Sequence, residues 1–189
     1  MVLNVLYYTK ERELDWASTD IQEFSKEIIS VIQPKAEAAG ITFAAEVKEG
    51  LATFEIDPDA VQSALINILE NCIDACMDDK SGKKQPRVSL KVYSQEDHIV
   101  YEIEDNGVGM DRGTMEKMFT LFFSSKGSRG TGLGMFIANQ IVEQHTGEIE
   151  VSSQPGEGSI FRVRLPKTLP EEVKNGTHVD PPTSEQKQD

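Results

Sequence analysis

A strand that ends in an aspartate and runs into closely spaced glycines constrains this chain more than any other feature. Ile99, Tyr101 and Ile103 recur at every second position, and this period predicts a half-buried strand. Asp105 falls in phase with the apolar face, so its carboxylate is expected to point toward the core, where it needs a donor. Two explanations stay open: an Asp105-Asn106-Gly107 turn in which the carboxylate bonds its own backbone, or a carboxylate that serves a site.

A second glycine cluster follows at Gly130-Thr131-Gly132-Leu133-Gly134. It precedes apolar residues at helical spacing, Leu133, Phe136, Ile137, Ile141 and Val142. A helix N-terminus presents unpaired N–H groups that suit phosphate, and glycine allows close approach to the backbone. The spacing matches neither the Walker nor the dinucleotide-binding pattern. A phosphate-binding helix start and a flexible hinge are both compatible with this cluster.

A long helix is predicted after Asp57 and Pro58, a favourable N-cap and first helical residue. Beside its apolar stripe runs a polar one: Asn67, Asn71, Asp74 and Asp78. Asparagine is a poor residue inside a helix, so two of them one turn apart need a reason. A solvated face is one explanation. The other is that Asn71 offers its amide oxygen to Mg²⁺, a hard ion that prefers oxygen ligands.

The other elements are an N-terminal helix capped by Thr19 or Asp20, two short strands joined by a turn at residues 48–50, and two hairpins. Pro34 is expected to bend or interrupt the first helix. The connection over residues 106–129 exceeds the usual length of a plain loop. Its apolar residues suit a closing lid, or a small helix packed permanently on the core.

Composition limits the partners and the compartment. The chain has 189 residues and a net charge of −13, which disfavours a nucleic-acid partner and implies a divalent cation wherever polyphosphate binds. Cys72 and Cys76 lie one helical turn apart and are predicted to be reduced core residues, because zinc needs more ligands. No apolar run is long enough to span a membrane, so we expect a soluble, cytoplasmic piece that could belong to a larger, membrane-attached protein.

The motifs in order resemble those of histidine kinases. Asn67-Ile68-Leu69-Glu70-Asn71-Cys72-Ile73-Asp74-Ala75 resembles the N box, Asp105-Asn106-Gly107-Val108-Gly109-Met110 the G1 box, residues 119–123 the F box and Gly130-Thr131-Gly132-Leu133-Gly134 the G2 box. The short segment with Lys126 is similar to that of the short-lid, nitrogen-regulation type. The resemblance covers residues 19–166. The wider superfamily includes gyrase, heat-shock chaperone and mismatch-repair ATPases.

This resemblance implies an α/β two-layer sandwich of the Bergerat type, in which a mixed, largely antiparallel sheet packs against three helices. It also implies ATP and Mg²⁺ as ligands. Asn71 would hold the metal, Asp105 would accept from the adenine amino group, Gly107 and Gly109 would shape the adenine pocket, and Lys126 would contact phosphates. The full set of implied binding residues is Asn67, Asn71, Asp74, Asp105, Gly107, Gly109, Met110, Phe123, Lys126, Gly130, Thr131, Gly132, Leu133 and Gly134, of which Asn71 and Lys126 would be catalytic.

Two departures refine the functional expectation. None of the three histidines, His98, His145 and His178, sits in a phosphoacceptor motif. We therefore expect a catalytic fragment: residues 1–18 end the dimerisation helix and form a linker, residues 19–166 bind ATP, and residues 167–189 are a disordered tail. Second, Asn67 stands where related hydrolases carry a glutamate base, which argues against efficient ATP hydrolysis.

The expected partners are a histidine-bearing dimerisation domain and, indirectly, the receiver domain of a response regulator. The fragment is expected to be monomeric and its parent homodimeric. Two alternatives remain: a serine kinase that regulates a sigma factor, and a degenerate module that binds partners without catalysis.

Overall fold

A computed structural model describes residues 14–51, 53–82, 84–124 and 131–168 of the chain. These residues form a five-stranded sheet, a separate two-stranded sheet and four helices. The strands are β1 (Ala17–Asp20), β2 (Thr42–Val47), β3 (Thr53–Ile56), β4 (Arg87–Gln95), β5 (His98–Asp105), β6 (Glu148–Gln154) and β7 (Gly158–Pro166). The helices are α1 (Ile21–Ala38), α2 (Pro58–Asp78), α3 (Arg112–Lys117) and α4 (Gly134–Gln144).

The large sheet has the strand order β2-β4-β5-β7-β6. Only the β2–β4 pair is parallel, and every other neighbouring pair in this sheet is antiparallel. The register places apolar side chains from three strands in rows, such as Leu90 beside Ile103 and Ile103 beside Phe161. These rows are buried, and α1, α2 and α4 contact strands of this sheet. The predicted two-layer fold with a mixed, largely antiparallel sheet and three main helices is confirmed.

The predicted helix starts are also confirmed. The Asp20 side chain accepts from the backbone N–H groups of Gln22 and Glu23, and the Asp57 side chain accepts from that of Ala60. Each carboxylate satisfies backbone donors that the first turn of a helix leaves unpaired. The expected interruption at Pro34 is wrong, because α1 continues through it to Ala38. The buried stripe on both sides of the proline holds that helix on the core despite the missing N–H.

The segment before α1 contains a strand that the sequence analysis did not predict. Ala17–Asp20 pairs antiparallel with Thr53–Ile56 and so forms the second sheet. The two short strands around the turn at 48–50 therefore belong to different sheets. The predicted domain boundary between residues 18 and 19 falls inside β1, so this strand belongs to both predicted segments. The expected helix end at residues 2–13 and the tail from residue 169 lie outside the described residues.

Both cysteines are buried on α2, as predicted for core residues. Within the described ranges, no helix has the length and apolar character needed to cross a membrane.

Candidate functional site

A cavity of about 610 Å³ lies between α2, the turn after β5, the β6–β7 hairpin and the start of α4. Ten of the predicted binding residues line it: Asn67, Asn71, Asp74, Asp105, Gly109, Met110, Phe123, Thr131, Gly132 and Gly134. Gly107 and Leu133 are not among its lining residues. Lys126 and Gly130 lie outside the described residues. We call residues 106–109 with residues 154–158 the turn side of the cavity, and residues 122–124 with residues 131–134 the helix side.

Asp105 forms the self-bonded turn and also lines the cavity, so it is compatible with both explanations that the sequence left open. Its Oδ1 accepts from the backbone N–H of Gly107 at 2.8 Å, as in the self-bonded turn. Its Oδ2 is buried and has no hydrogen-bond partner among the described residues, although the side chain lines the cavity. Burial raises the pKa of this carboxyl, and hydrogen bonds from the Gly107 N–H, the Cys72 thiol and Ser159 oppose that shift. A buried acceptor without a partner is costly, so Oδ2 is suited to a ligand that brings a donor.

The two glycines of the turn side allow close backbone contacts. A Cβ at Gly107 would stand 2.4 Å from the carbonyl carbon of Ala75, on α2. A Cβ at Gly109, whose φ is +64°, would stand 1.9 Å from the carbonyl oxygen of Gln154. Gly107 therefore acts indirectly, because it seats the turn against α2 instead of facing the cavity. The predicted role of Gly107 in shaping the pocket remains compatible with that placement.

The polar stripe of α2 faces the cavity. Asn67, Asn71, Asp74 and Asp78 all line it. The Asn71 Nδ2 donates to the backbone carbonyl of Asn67 at 2.9 Å, one turn earlier in the same helix. An amide binds a cation through its oxygen, so Oδ1 is the atom of Asn71 that would serve as a ligand. An amide oxygen beside a cavity that also holds carboxylates is a suitable partial ligand set for Mg²⁺.

The helix side is built around the start of α4. In the described part of the chain, Leu133 provides no side-chain cap, and the first turn of α4 carries no acidic residue. Its backbone donors and the positive end of the helix dipole therefore suit an anion. Gly132 has a φ of +67°. A Cβ added at this position would stand 2.4 Å from the Phe122 carbonyl carbon. The Phe122 N–H in turn donates to the Gly132 carbonyl at 3.1 Å, which ties the two segments together.

Several residues at the site were not foreseen. Ser159 lies directly across from Asp105 in the β5–β7 register and lines the cavity. Its hydroxyl is 3.0 Å from that of Ser153, which accepts from the Met110 backbone N–H at 2.8 Å. These serines hold the far end of the turn in place. No local pattern predicts them, because their role depends on the register between β5 and β7.

His145 is buried at the end of α4 and has a structural role. Its Nε2 accepts from the Asp57 backbone N–H at 3.0 Å, and its Nδ1 lies 2.7 Å from the Ile141 carbonyl. The ring also packs against Trp16, with centroids 4.8 Å apart. Burial lowers the pKa of this imidazole, so the neutral form that accepts from Asp57 is favoured. This burial agrees with the expectation that His145 is not a phosphoacceptor.

Comparison with known proteins agrees with this geometry. The profile of the family described as histidine kinase-, DNA gyrase B-, and HSP90-like ATPase matches residues 56–169. The signal transduction histidine-protein kinase AtoS of Escherichia coli is 30% identical over 166 residues, which cover 88% of this chain and 26% of AtoS. The chain thus spans about a quarter of that relative, and 22% of the sporulation kinase E of Bacillus subtilis, to which it is 25% identical.

Solved structures show the same fold. Full-length ShkA in complex with AMPPNP gives a TM-score of 0.75 at 22% identity, over 87% of this chain and 35% of ShkA. The catalytic domain of the histidine kinase ThkA gives 0.70 at 23% identity, over 82% of this chain and all of that domain. The profile match covers more than half of the chain, which therefore belongs to the histidine kinase-, DNA gyrase B-, and HSP90-like ATPase family.

Proposed function

We propose that this domain binds Mg²⁺-ATP and transfers the γ-phosphoryl group to a histidine on a dimerisation domain of its parent kinase. The bond between the γ-phosphorus and the β–γ bridging oxygen breaks, a bond to an imidazole nitrogen forms, and ADP leaves. The observation that carries the proposal is the unpaired, buried Oδ2 of Asp105 in a cavity that ends at an uncapped helix start.

The turn side is proposed to select adenine. The adenine amino group donates, whereas guanine presents an acceptor at the same position. An ionised Asp105 can only accept, so it pairs with adenine and repels guanine. Binding at this carboxylate also removes the cost of an unpaired buried acceptor. Gly109 and Met110 line the same wall. The AMPPNP of the ShkA structure supports an adenine nucleotide as the ligand.

The helix side and α2 are proposed to hold the phosphates. The backbone at Gly132 and Gly134, with Thr131, would face the phosphate oxygens, and Lys126 would add a positive charge. Asn71 would bind Mg²⁺, with Asn67 and Asp74 nearby. When bound, the metal neutralises phosphate charge, and the protein's contribution is then to orient the nucleotide for an incoming histidine. Asn67 supplies no general base, so water is not activated at this position.

The partners follow from this chemistry. The acceptor histidine is proposed to come from another domain, because His145 is buried and accepts from the Asp57 N–H at the start of α2. We propose the dimerisation domain of a homodimeric parent as its source and a response regulator as the next acceptor. We propose a cytoplasmic location, where ATP is available and where buried thiols such as those of Cys72 and Cys76 stay reduced.

Calorimetric titration tests the nucleotide site. ADP and GDP are each added with and without Mg²⁺, to the wild-type chain and to Asn71→Ala. We expect ADP to bind, GDP to be excluded, and Mg²⁺ to tighten ADP binding in the wild type but not in Asn71→Ala. The control is Asn139→Ala, since the Asn139 Nδ2 makes a comparable bond to Glu143 at 2.7 Å on α4, away from the cavity lining. Equal affinity for ADP and GDP contradicts the assignment of Asp105.

Transfer of the phosphoryl group is tested separately. The chain is incubated with [γ-³²P]ATP and a matching dimerisation domain, and acid-labile label on that domain is the expected product. Tight ATP binding without transfer would leave the nucleotide site intact and support the alternative of a non-catalytic binding module. Acid-stable label on a serine would favour the sigma-factor-regulating kinase.

A further inference from the structure

Lys84 makes an unusual set of contacts beside the turn side of the cavity. It lies in the polar loop between α2 and β4. Its ammonium donates to the backbone carbonyls of Asn106 at 2.6 Å, Gly107 at 3.1 Å and Gly156 at 2.8 Å. An ammonium has three N–H donors, and here all three reach carbonyl oxygens. The Asp79 carboxylate, at the end of α2, lies 3.3 Å from the same nitrogen.

These contacts join the two segments that form the turn side. Asn106 and Gly107 belong to the turn after β5, whereas Gly156 belongs to the β6–β7 turn. A separate bond from the Gly156 N–H to the Val108 carbonyl, at 2.7 Å, joins the same two segments. The Lys84 side chain is only 29% exposed, so its charge is partly shielded from water and its bonds are stronger than at an open surface. Lys84 therefore fixes the relative position of both turns.

One of the three carbonyls links Lys84 to Asp105. The Asn106 carbonyl and the Gly107 N–H belong to the same peptide group. Lys84 donates to that carbonyl, and the N–H on the other side of the peptide donates to Asp105 Oδ1 at 2.8 Å. Hydrogen bonds in such a chain polarise one another, so the lysine strengthens the donor that holds the carboxylate. The remaining oxygen, Oδ2, is left without a partner among the described residues, in a side chain that lines the cavity.

We propose that Lys84 is a positioning residue that holds Asp105 ready for adenine through the Asn106–Gly107 peptide. The proposal rests on the proposed function for its consequence, adenine binding, but the link from Lys84 to Asp105 exists without nucleotide. A lysine is needed because arginine presents its donors in a plane and does not direct three of them at convergent carbonyls.

The test compares the wild type with Lys84→Met, which keeps the length of the side chain and removes the charge. The first measurement is a ¹³C NMR titration of the Asp105 carboxyl in the nucleotide-free chain. We expect its pKa to rise, because the Gly107 donor is weakened. The other ionisable groups facing this carboxyl are the thiols of Cys72 and Cys76 on α2. The second measurement is calorimetric: we expect the Kd for ADP to rise about tenfold and the Kd for Mg²⁺-pyrophosphate to stay unchanged.

The matched control is Lys91→Met. Lys91 also pairs with a carboxylate, that of Glu102 at 3.6 Å, but does so on β4 away from the cavity lining. It should change neither the Asp105 pKa nor ADP binding. A folded Lys84→Met chain with the wild-type Asp105 pKa and wild-type ADP affinity overturns the proposal. Where that variant does not fold, Lys84→Arg replaces it, and wild-type values in Lys84→Arg overturn the proposal equally.

Failure of the proposed function gives a different result. If the wild type binds no ADP but Lys84→Met still raises the Asp105 pKa, the nucleotide assignment is wrong and the positioning link stands. If the wild type binds ADP but Lys84→Met leaves the Asp105 pKa unchanged, the nucleotide assignment stands and the positioning link is wrong.

Discussion

The turn side and the helix side of the cavity both rely on glycine, but they pack it against different partners. On the turn side, Gly107 contacts the backbone of α2 and Gly109 that of the end of β6. These partners belong to a helix and to the edge strand of the large sheet. On the helix side, Gly132 contacts the backbone of Phe122, whose side chain is 67% exposed. The turn side thus packs against a helix and a strand, whereas the helix side is a loop that packs against a neighbouring loop.

This difference matches what each part of a nucleotide demands. Adenine is distinguished from guanine by the placement of single donors and acceptors, so its recognition benefits from a rigid, preformed wall. Phosphate is recognised by charge and by many equivalent oxygens, which tolerate more variation in the backbone around them. We therefore expect substitutions on the turn side to affect stability and base selectivity, and substitutions on the helix side to affect mainly affinity.

The largest effect is expected for Gly109→Ala. The new Cβ would stand 1.9 Å from the Gln154 carbonyl oxygen, and the φ of +64° disfavours any residue with a side chain. Overpacking and left-handed strain together should lower the free energy of unfolding by roughly 2–5 kcal/mol. Urea denaturation measures this loss.

Two controls separate the causes of that loss. Gly156→Ala has a similar φ of +80° but no described atom within 4 Å of its Cβ, so it isolates the strain. Gly113→Ala, in α3, meets its nearest atom at 3.7 Å and should be harmless. If Gly109→Ala is no less stable than Gly156→Ala, the close contact between Gly109 and the Gln154 backbone does not contribute to the loss.

A smaller effect, confined to binding, is expected for Asp105→Asn. The Gly107 N–H requires an acceptor, so the amide oxygen should take the place of Oδ1 and the NH₂ group should face the cavity. ADP binding should then weaken by roughly 1–3 kcal/mol, while GDP binding improves. Competition titrations with both nucleotides measure the ratio. Unchanged discrimination between ADP and GDP would mean that base selectivity does not reside on the turn side.

The smallest effect on stability is expected for Gly134→Ala. Its Cβ would meet only the end of the flexible Asn67 side chain, at 3.2 Å, and alanine favours a helix. The free energy of unfolding should therefore change by less than about 1 kcal/mol. Mg²⁺-ADP affinity should fall, because the added methyl group enters the cavity lining. Thermal unfolding and calorimetry on the same sample separate the two. A marked loss of stability would contradict the expectation that substitutions on the helix side affect mainly affinity.

Local patterns and the family resemblance predicted much of the fold and ten of the residues that line the cavity. The period of two through β5 placed Asp105 on the buried face, and helical spacing placed Asn67, Asn71 and Asp74 on one face of α2. Residue type alone predicted the cap at Asp57 and narrowed the cap of α1 to Thr19 or Asp20. Such features depend only on neighbours within one or two turns of a helix or a few residues of a strand, and that information is contained in the sequence.

The sequence by itself therefore determined most of the elements, although not β1, and which of their faces carry polar groups. Only the tertiary structure decided what those groups meet. It paired β1 with β3, set Ser159 beside Asp105, turned Gly107 toward α2 and brought Lys84, an apparent loop lysine, onto three carbonyls of the turn side. These contacts join residues up to 72 positions apart. Periodicity fixes the direction of a side chain within its element, whereas sheet register and packing fix the partner that it finds there.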